Sequence, residues 1–161
     1  MASAALMGAI ERFTESARRL GIEPRVRRFP EGTKTATDAA TAIGCDVAQI
    51  VKSLVFVADG RPVIAFTSGA NRVDPSKLAR VAGASEARRA TPEEARAATG
   101  FAVGGTPPFG HPTSLPAYLD PALLAFQEVW AAAGTPDSVF PLPPQELQRA
   151  ADATQADFIE A

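Results

Sequence analysis

The stretch from residue 50 to residue 58 constrains the fold more than any other part of the chain. It is a near-continuous run of apolar residues, interrupted by Lys52 and Ser53. An apolar run of this length predicts a β-strand that is buried on both faces. Asp59 and Gly60 form a dipeptide typical of a hairpin turn, and residues 62–67 supply the returning strand. The chain must therefore build a sheet that other elements cover on both sides.

Shorter patterns before and after this hairpin predict helices and further strands. Asp74, Thr91 and Thr37 are the expected N-caps of three helices. The predicted helices span residues 5–20, 37–43, 75–82, 92–99 and 143–153. The other predicted strands span residues 23–29, 86–90, 116–120, 128–132, 139–142 and 156–159.

The order of these elements predicts the fold class. Helices and strands do not alternate strictly, and hairpins join several of the strands. This order indicates a single α/β domain over residues 1–161, with a mixed, barrel-like sheet and helices packed outside it. A chain of 161 residues fits one domain and leaves little room for a second.

The net charge of the chain disfavours broad nucleic-acid binding. Its 16 basic and 18 acidic residues give a formal charge of −2, whereas a protein that coats DNA or RNA is strongly basic. Local arginine pairs, such as Arg88 with Arg89, fit either a solvated surface or a grip on one end of a tRNA. We therefore expect no DNA partner.

The chain offers few residues for metal or thiol chemistry. Its one cysteine, Cys45, and its one histidine, His111, form neither a disulfide nor a metal-ligand cluster, so we expect no metal and no other cofactor. Residues 1–10 are apolar but too short to span a bilayer, and they lack the basic start of a secretion signal. We expect a cytoplasmic protein with no membrane partner.

Lys52 is the first residue that could carry chemistry. A lysine inside so apolar a strand is unusual, because its ammonium group must find a partner or reach water. The side chain could simply extend to solvent at a strand edge. It could equally place a cation at the mouth of a pocket, facing a phosphate or a polarised carbonyl group.

The loop from residue 104 to residue 112 is the second candidate. Gly104 and Gly105 would let backbone N–H groups approach a ligand closely, and the prolines that follow would fix the shape of the loop. Such a loop could form an oxyanion hole without side-chain chemistry. It could also be only a rigid connector, so this segment alone indicates little.

Together, these segments resemble the YbaK-like, prolyl-tRNA-synthetase-associated editing domains. The similarity runs from about Thr35 to the C-terminus, and residues 1–34 match less well. The lysine of the family falls on Lys52, and its Gly-x-x-x-Pro signature falls on Gly104 and Pro108. The other matching segments are residues 71–74, residues 90–94, and residues 109–111.

This resemblance implies a free-standing hydrolase that removes a wrongly attached amino acid from the 3′ end of a mischarged tRNA. In the family the substrate is typically tRNA for proline carrying a small residue such as alanine, and prolyl-tRNA synthetase is a possible partner. The implied catalytic residues are Lys52, for the terminal phosphate or the ester carbonyl, and the backbone amides of Gly104, Gly105 and Thr106. The implied substrate-binding residues are Pro108, Gly110, His111, Asn71 and Asp120.

The resemblance leaves the cargo and the catalytic competence open. The residues after His111 lack the basic pair associated with the cysteine-specific branch, so alanine or another small residue is the expected cargo. Serine, threonine and 2-aminobutyrate are alternatives. A non-catalytic module of the same fold, which would hold a tRNA end or a nucleotide, is the alternative from another functional class.

Overall fold

The hairpin at residues 51–68 is the longest strand pair of the protein. In the computed structural model, which describes residues 8–30 and 35–161, β2 (Val51–Ala58) and β3 (Arg61–Ser68) pair antiparallel along their whole length. Asp59 and Gly60 both have positive φ, at 48° and 81°, which suits a tight two-residue turn. The predicted hairpin is confirmed.

The described residues form two sheets around this hairpin. The other strands are β1 (Arg27–Arg28), β4 (Ala87–Arg89), β5 (Ala117–Leu119), β6 (Val129–Ala132), β7 (Ser138–Leu142) and β8 (Ala153–Gln155). The larger sheet has the strand order β4-β2-β3-β5-β8 and contains both antiparallel and parallel pairs. The smaller sheet has the order β1-β7-β6, and a parallel bridge between Ile50 and Trp130 connects it to the larger one. The α/β class with a mixed sheet is confirmed, as two linked sheets and without a closed ring.

The described residues form five α-helices. They are α1 (Ala9–Arg19), α2 (Ala36–Ile43), α3 (Pro75–Val81), α4 (Pro92–Thr99) and α5 (Pro144–Ala151). Within the described residues, none of them has the length and hydropathy needed to span a bilayer. The first turn of the helix predicted at residues 5–20 lies outside the described residues.

The helix caps correct one prediction. The N-cap of α2 is Thr35, whose hydroxyl accepts a hydrogen bond from the Asp38 amide at 3.0 Å. The predicted cap, Thr37, lies inside the first turn. The caps at Asp74 and Thr91 are confirmed, the latter as a full capping box with Glu94.

The two ends of the chain also differ from the prediction. Of the strand expected at residues 23–29, only Arg27–Arg28 pairs. The final strand is Ala153–Gln155, and in the segment predicted at 156–159 pairing is limited to an isolated antiparallel bridge between Ile159 and Val73. Asp152 adopts a left-handed conformation with φ of 51° and ends α5 early. Phe158 is instead fully buried against the second face of the hairpin.

The core confirms that both faces of the hairpin are covered. One face carries Val51, Ile64 and Phe66, which pack with α1, β6 and β7. The other face carries Phe56 and Ala65 together with α3 and the C-terminal segment. The side chain of Lys52 shares this second face, because residues two apart on a strand point the same way.

Candidate active site

A cavity of about 560 Å³ lies along one edge of β2. This volume is within the range of small-molecule sites. Residues 35–37 and 39 of α2 form one wall, and residues 130–132, 138 and 139 of the β6–β7 hairpin form another. Ile50 and residues 51–55 of β2 run along the cavity. The remaining side is closed by Arg89, Ala90, Pro92, Ala95, Val103, Gly104 and Thr106. All of the predicted catalytic residues except Gly105 line this cavity.

The cavity exists because β2 has an open edge there. On that side, β4 pairs only with residues 56–58 of β2. The backbone oxygen of Ile50 accepts a hydrogen bond from the Gly69 amide, on the side of β2 that faces β3. The backbone oxygen of Val55 accepts one from the Ala90 amide, on the opposite side. Backbone groups alternate in direction along an antiparallel strand, so the N–H and C=O groups of Ser53 point towards the open edge.

Ser53 also carries an unusual side chain. Its Oγ atom is buried and has no hydrogen-bond partner among the described residues. An unsatisfied buried hydroxyl group destabilises a protein by roughly 1–3 kcal/mol. Such groups are uncommon in folded proteins, and this one lies beside the lysine that the sequence singled out.

Lys52 is half-buried at the wall of the cavity. Its Nζ donates a hydrogen bond to the backbone oxygen of Asn71 at 2.6 Å. Burial lowers the pKa of the ammonium group, the positive charges of Arg72 and Arg89 lower it further, and Asp120 opposes the shift. Lys52 is therefore a positioned cation in a region of positive potential.

Asn71 and Asp120 hold Lys52 in place. Asp120 is 2% exposed, and its carboxylate accepts hydrogen bonds from the Asn71 side chain at 2.9 Å and the Ser68 amide at 3.1 Å. A third bond comes from the Ala122 amide at 3.0 Å. Neither Asn71 nor Asp120 lines the cavity. They lie behind Lys52, so their contacts fit a supporting role and not the wall position that was predicted.

The glycine-rich loop presents two free backbone amides. Within the described chain, the N–H groups of Gly104 and Thr106 donate to no protein atom, and both residues line the cavity. The N–H of Gly105 instead donates to the oxygen of Ala102 at 3.0 Å. This turn bond occupies the Gly105 amide, so the structure leaves two of the three predicted oxyanion donors available.

The glycine at position 105 is explained by packing. A Cβ atom there would lie 2.7 Å from backbone atoms of Thr135, well inside van der Waals contact. Gly104 has a φ of 88°, a left-handed conformation that favours glycine. The loop is thus pressed onto the turn between β6 and β7, and this contact sets the position of the two free amides.

Pro108, Gly110 and His111 lie elsewhere. They line a separate cavity of about 140 Å³, and the His111 Nε2–H group donates to the Pro107 oxygen at 2.8 Å. Burial lowers the pKa of His111, and this hydrogen bond opposes the shift. A Cβ atom on Gly110 would approach Ser16 of α1 to 3.0 Å. This part of the loop therefore anchors it to α1 and does not form the edge of the cavity at Lys52.

Several cavity residues were not predicted from the sequence. Arg89 lines the cavity, whereas the adjacent Arg88 forms a bidentate ion pair with Glu94 at 2.7 and 2.8 Å. Trp130 forms part of the opposite wall, and the Arg27 guanidinium lies 5.6 Å from its ring centre. The sequence signalled Arg88 and Arg89 only as a basic pair. The part of the chain that is described contains no cluster of potential metal ligands.

Comparison with known proteins places this chain in a family. A family model described as the aminoacyl-tRNA editing domain matches residues 30–150. The uncharacterized protein YwhH of Bacillus subtilis is 34% identical over 125 residues, which are 78% of this chain and 80% of YwhH. The proline–tRNA ligase of Solidesulfovibrio magneticus is 40% identical over 90 residues, which are 55% of this chain and 15% of the ligase.

Solved structures agree with the sequence matches. The structure of a candidate trans-editing enzyme for prolyl tRNA synthetase is similar with a TM-score of 0.90 and 46% sequence identity, over 97% of this chain and 99% of the other. A hypothetical protein at 27% identity has a TM-score of 0.85 and is covered over 99% of its length. Since the family model matches most of the chain, this protein belongs to the aminoacyl-tRNA editing domain family.

Proposed function

We propose that this protein is a trans-editing hydrolase, which removes a small amino acid from the 3′ end of a mischarged tRNA. The expected tRNA is that for proline. The observation that carries the proposal is the arrangement of the cavity, in which Lys52 and the free amides of Gly104 and Thr106 line one space. Such a set of fixed positive and partially positive groups suits a reaction that develops negative charge.

The reaction is the hydrolysis of an ester. A water molecule adds to the ester carbonyl carbon and gives up a proton to solvent, while the carbonyl oxygen becomes an oxyanion. The carbonyl then re-forms as the bond to the ribose oxygen breaks, and this oxygen takes a proton from solvent. The products are the free amino acid and a tRNA with a free terminal hydroxyl group. The amides of Gly104 and Thr106 would donate to the oxyanion, and Lys52 would hold the terminal phosphate or the carbonyl. An ester has a good leaving group, so positioning and charge stabilisation can carry much of the rate.

The other candidate nucleophile and base fit this reaction poorly. Burial raises the pKa of the Cys45 thiol above its ordinary value, which disfavours the reactive thiolate. Cys45 does not line the cavity, and His111 lines the smaller one. A covalent thiol mechanism or a histidine general base is therefore not part of the proposal.

The proposed cargo follows from a limit on discrimination by size. A synthetase pocket built for proline rejects an amino acid that lacks a methylene group by only ~1–3 kcal/mol. A second pocket that accepts the small residues supplies the missing discrimination. Alanine is the first candidate, and the absence of a basic pair after His111 disfavours cysteine. We expect the protein to act in the cytoplasm, with prolyl-tRNA synthetase as its candidate protein partner.

A panel of mischarged tRNAs tests the proposal and identifies the cargo. The release of labelled amino acid would be measured from tRNA for proline carrying alanine, serine, threonine, cysteine or 2-aminobutyrate, with prolyl-tRNA as the correctly charged control. We expect rapid release of alanine or another small residue and stable prolyl-tRNA. Spontaneous rates across the whole panel would contradict the proposal and favour the alternative, a module that holds a tRNA end without hydrolysis.

A further inference from the structure

The charged side chains that line the cavity in the described structure are all positive. Among the described residues that line it, Lys52 and Arg89 are charged and no carboxylate is present. Arg72 directly follows Asn71, whose backbone oxygen accepts the Lys52 hydrogen bond. Lys52 and Arg89 line the cavity, whereas Arg72 adjoins the residue that Lys52 contacts and does not itself line the cavity. This positive group stands out because the chain as a whole has a formal charge of −2.

Arg72 and Arg89 are among the arginines that form no ion pair with a described residue. In residues 8–30 and 35–161, no carboxylate lies within 4.0 Å of Arg72 or Arg89. Arg88, by contrast, is held by Glu94. The unpaired guanidinium groups are also exposed to solvent, so both are accessible to a ligand.

The strand register places Arg89 on the same face of the sheet as Lys52. Arg89 is the antiparallel partner of Phe56, and its guanidinium carbon lies 5.9 Å from the Phe56 ring centre. Phe56 and Lys52 are four residues apart on β2, and residues at even spacing share a face. Both arginines act electrostatically on Lys52 and favour its neutral form.

A group of three positive charges, with the buried Asp120 carboxylate as the one negative charge that acts on Lys52, suits an anionic ligand with more than one charge. The planar guanidinium group binds phosphate oxygens in a bidentate manner. An aminoacylated tRNA ends in a single strand, and that strand carries one phosphate before the terminal nucleoside and further phosphates on its 5′ side. Two guanidinium groups in addition to Lys52 suit a strand with several phosphates better than a single phosphate.

We propose that Arg72 and Arg89 form a docking site for the phosphodiester backbone of the single-stranded 3′ end, on the 5′ side of the nucleotide that carries the amino acid. This inference rests on the proposed function, because it assumes that the terminal nucleotide enters the cavity. Lys52 acts at the ester or at the terminal phosphate, whereas the two arginines contribute affinity and do not take part in the chemical step.

Two substrates separate these roles. One is a CCA trinucleotide esterified with alanine, or with whichever cargo the wild-type protein releases, and the other is adenosine esterified with the same amino acid, which has no phosphodiester. The variants are Arg72→Gln, Arg89→Gln and the double variant. Arg61→Gln is the matched control, because Arg61 is exposed, unpaired within the described residues and located at the turn of the hairpin.

We expect each arginine variant to raise KM for the trinucleotide about tenfold, with kcat unchanged. The slope of log KM against log salt should fall by about 0.7 for each arginine–phosphate interaction that a variant removes, as for other single strands. Hydrolysis of aminoacyl-adenosine should stay at the wild-type rate in every variant. The Arg61→Gln control should behave as wild type with both substrates.

The outcomes distinguish this inference from the proposed function. Unchanged KM and salt slope for the trinucleotide in the double variant would overturn the docking site, as would an equal loss with aminoacyl-adenosine. If the wild type hydrolyses neither of these substrates and none of the mischarged tRNAs, the proposed hydrolase fails. The docking site is then tested by the fluorescence anisotropy of a 5′-labelled CCA oligonucleotide. Binding that weakens in both arginine variants would support the site, and binding that is absent or unchanged in them would overturn it.

Discussion

The substitution Gly105→Ala tests whether packing of the glycine-rich loop sets the catalytic geometry. The new Cβ atom would lie 2.7 Å from backbone atoms of Thr135, where ordinary contact begins near 3.4 Å. Because both partners are backbone, the loop itself must move by about 0.7 Å to relieve the overlap. The adjacent amides of Gly104 and Thr106 would move with it.

Both activity and stability should respond. Catalytic groups must be held within about 0.5 Å of their productive positions, and a misplacement near 1 Å can lower the rate by about 100-fold. We therefore expect kcat for deacylation to fall roughly 10- to 100-fold. Overpacking of this kind destabilises a protein by about 1–3 kcal/mol, or a loss of roughly 2–12 °C in Tm for a chain of this size.

Deacylation under saturating substrate and thermal unfolding would be measured on the same preparation. Gly83→Ala is the control, because Gly83 has a φ of 70°, and nothing lies within 4 Å of its missing Cβ atom. That variant should lose about 1 kcal/mol in its free energy of unfolding and should keep the wild-type deacylation rate. A folded Gly105→Ala protein with wild-type kcat would refute the link between this contact and the position of the amides.

Four further predictions concern single side chains. Ser53→Ala should raise the free energy of unfolding by about 1 kcal/mol, since it removes an unsatisfied hydroxyl; a lower urea midpoint would contradict this. Asp120→Ala should lower that free energy by about 3 kcal/mol and also reduce deacylation, since it leaves the Ser68 and Asn71 donors unpaired. The Lys52 ammonium should titrate below its ordinary pKa of 10.5 in ¹³C NMR spectra. Because burial lowers the pKa of His111, the unfolded state binds the proton more readily than the folded state. The contribution of His111 to the free energy of unfolding should therefore be fully present above pH 6.5 and be lost at lower pH. His111→Gln should reduce this loss.

Local sequence signals predicted much of the fold. The apolar run, the turn dipeptide and the helix caps each depend on residues close in sequence, and the hairpin, Asp74 and Thr91 were all placed correctly. The errors at residues 153–159 arise from one residue, Asp152, whose left-handed conformation carries no strong sequence signal. Thr35 and Thr37 were both acceptable caps, and packing of α2 decides between them.

The site was harder to predict, because its geometry depends on contacts between distant segments. Lys52 stood out as a lysine in an apolar strand, and the structure places it at the cavity. The role of Gly105 depends on Thr135, and the position of Arg89 depends on the register of β4 against β2. No local pattern reports either contact. For the same reason, the sequence did not separate Pro108 and His111 from the residues that line the cavity.

The most direct test of the account is the single-turnover release of alanine from alanyl-tRNA for proline, by the wild type and by Lys52→Ala. Circular dichroism and thermal unfolding would establish that the variant is folded. The account predicts release at least about 100-fold above the spontaneous rate for the wild type, and loss of most of this acceleration in the variant. Equal rates for the two proteins would contradict the role of Lys52. A wild-type rate no greater than spontaneous hydrolysis, for alanine and for the other small cargoes, would contradict the assignment as a deacylase.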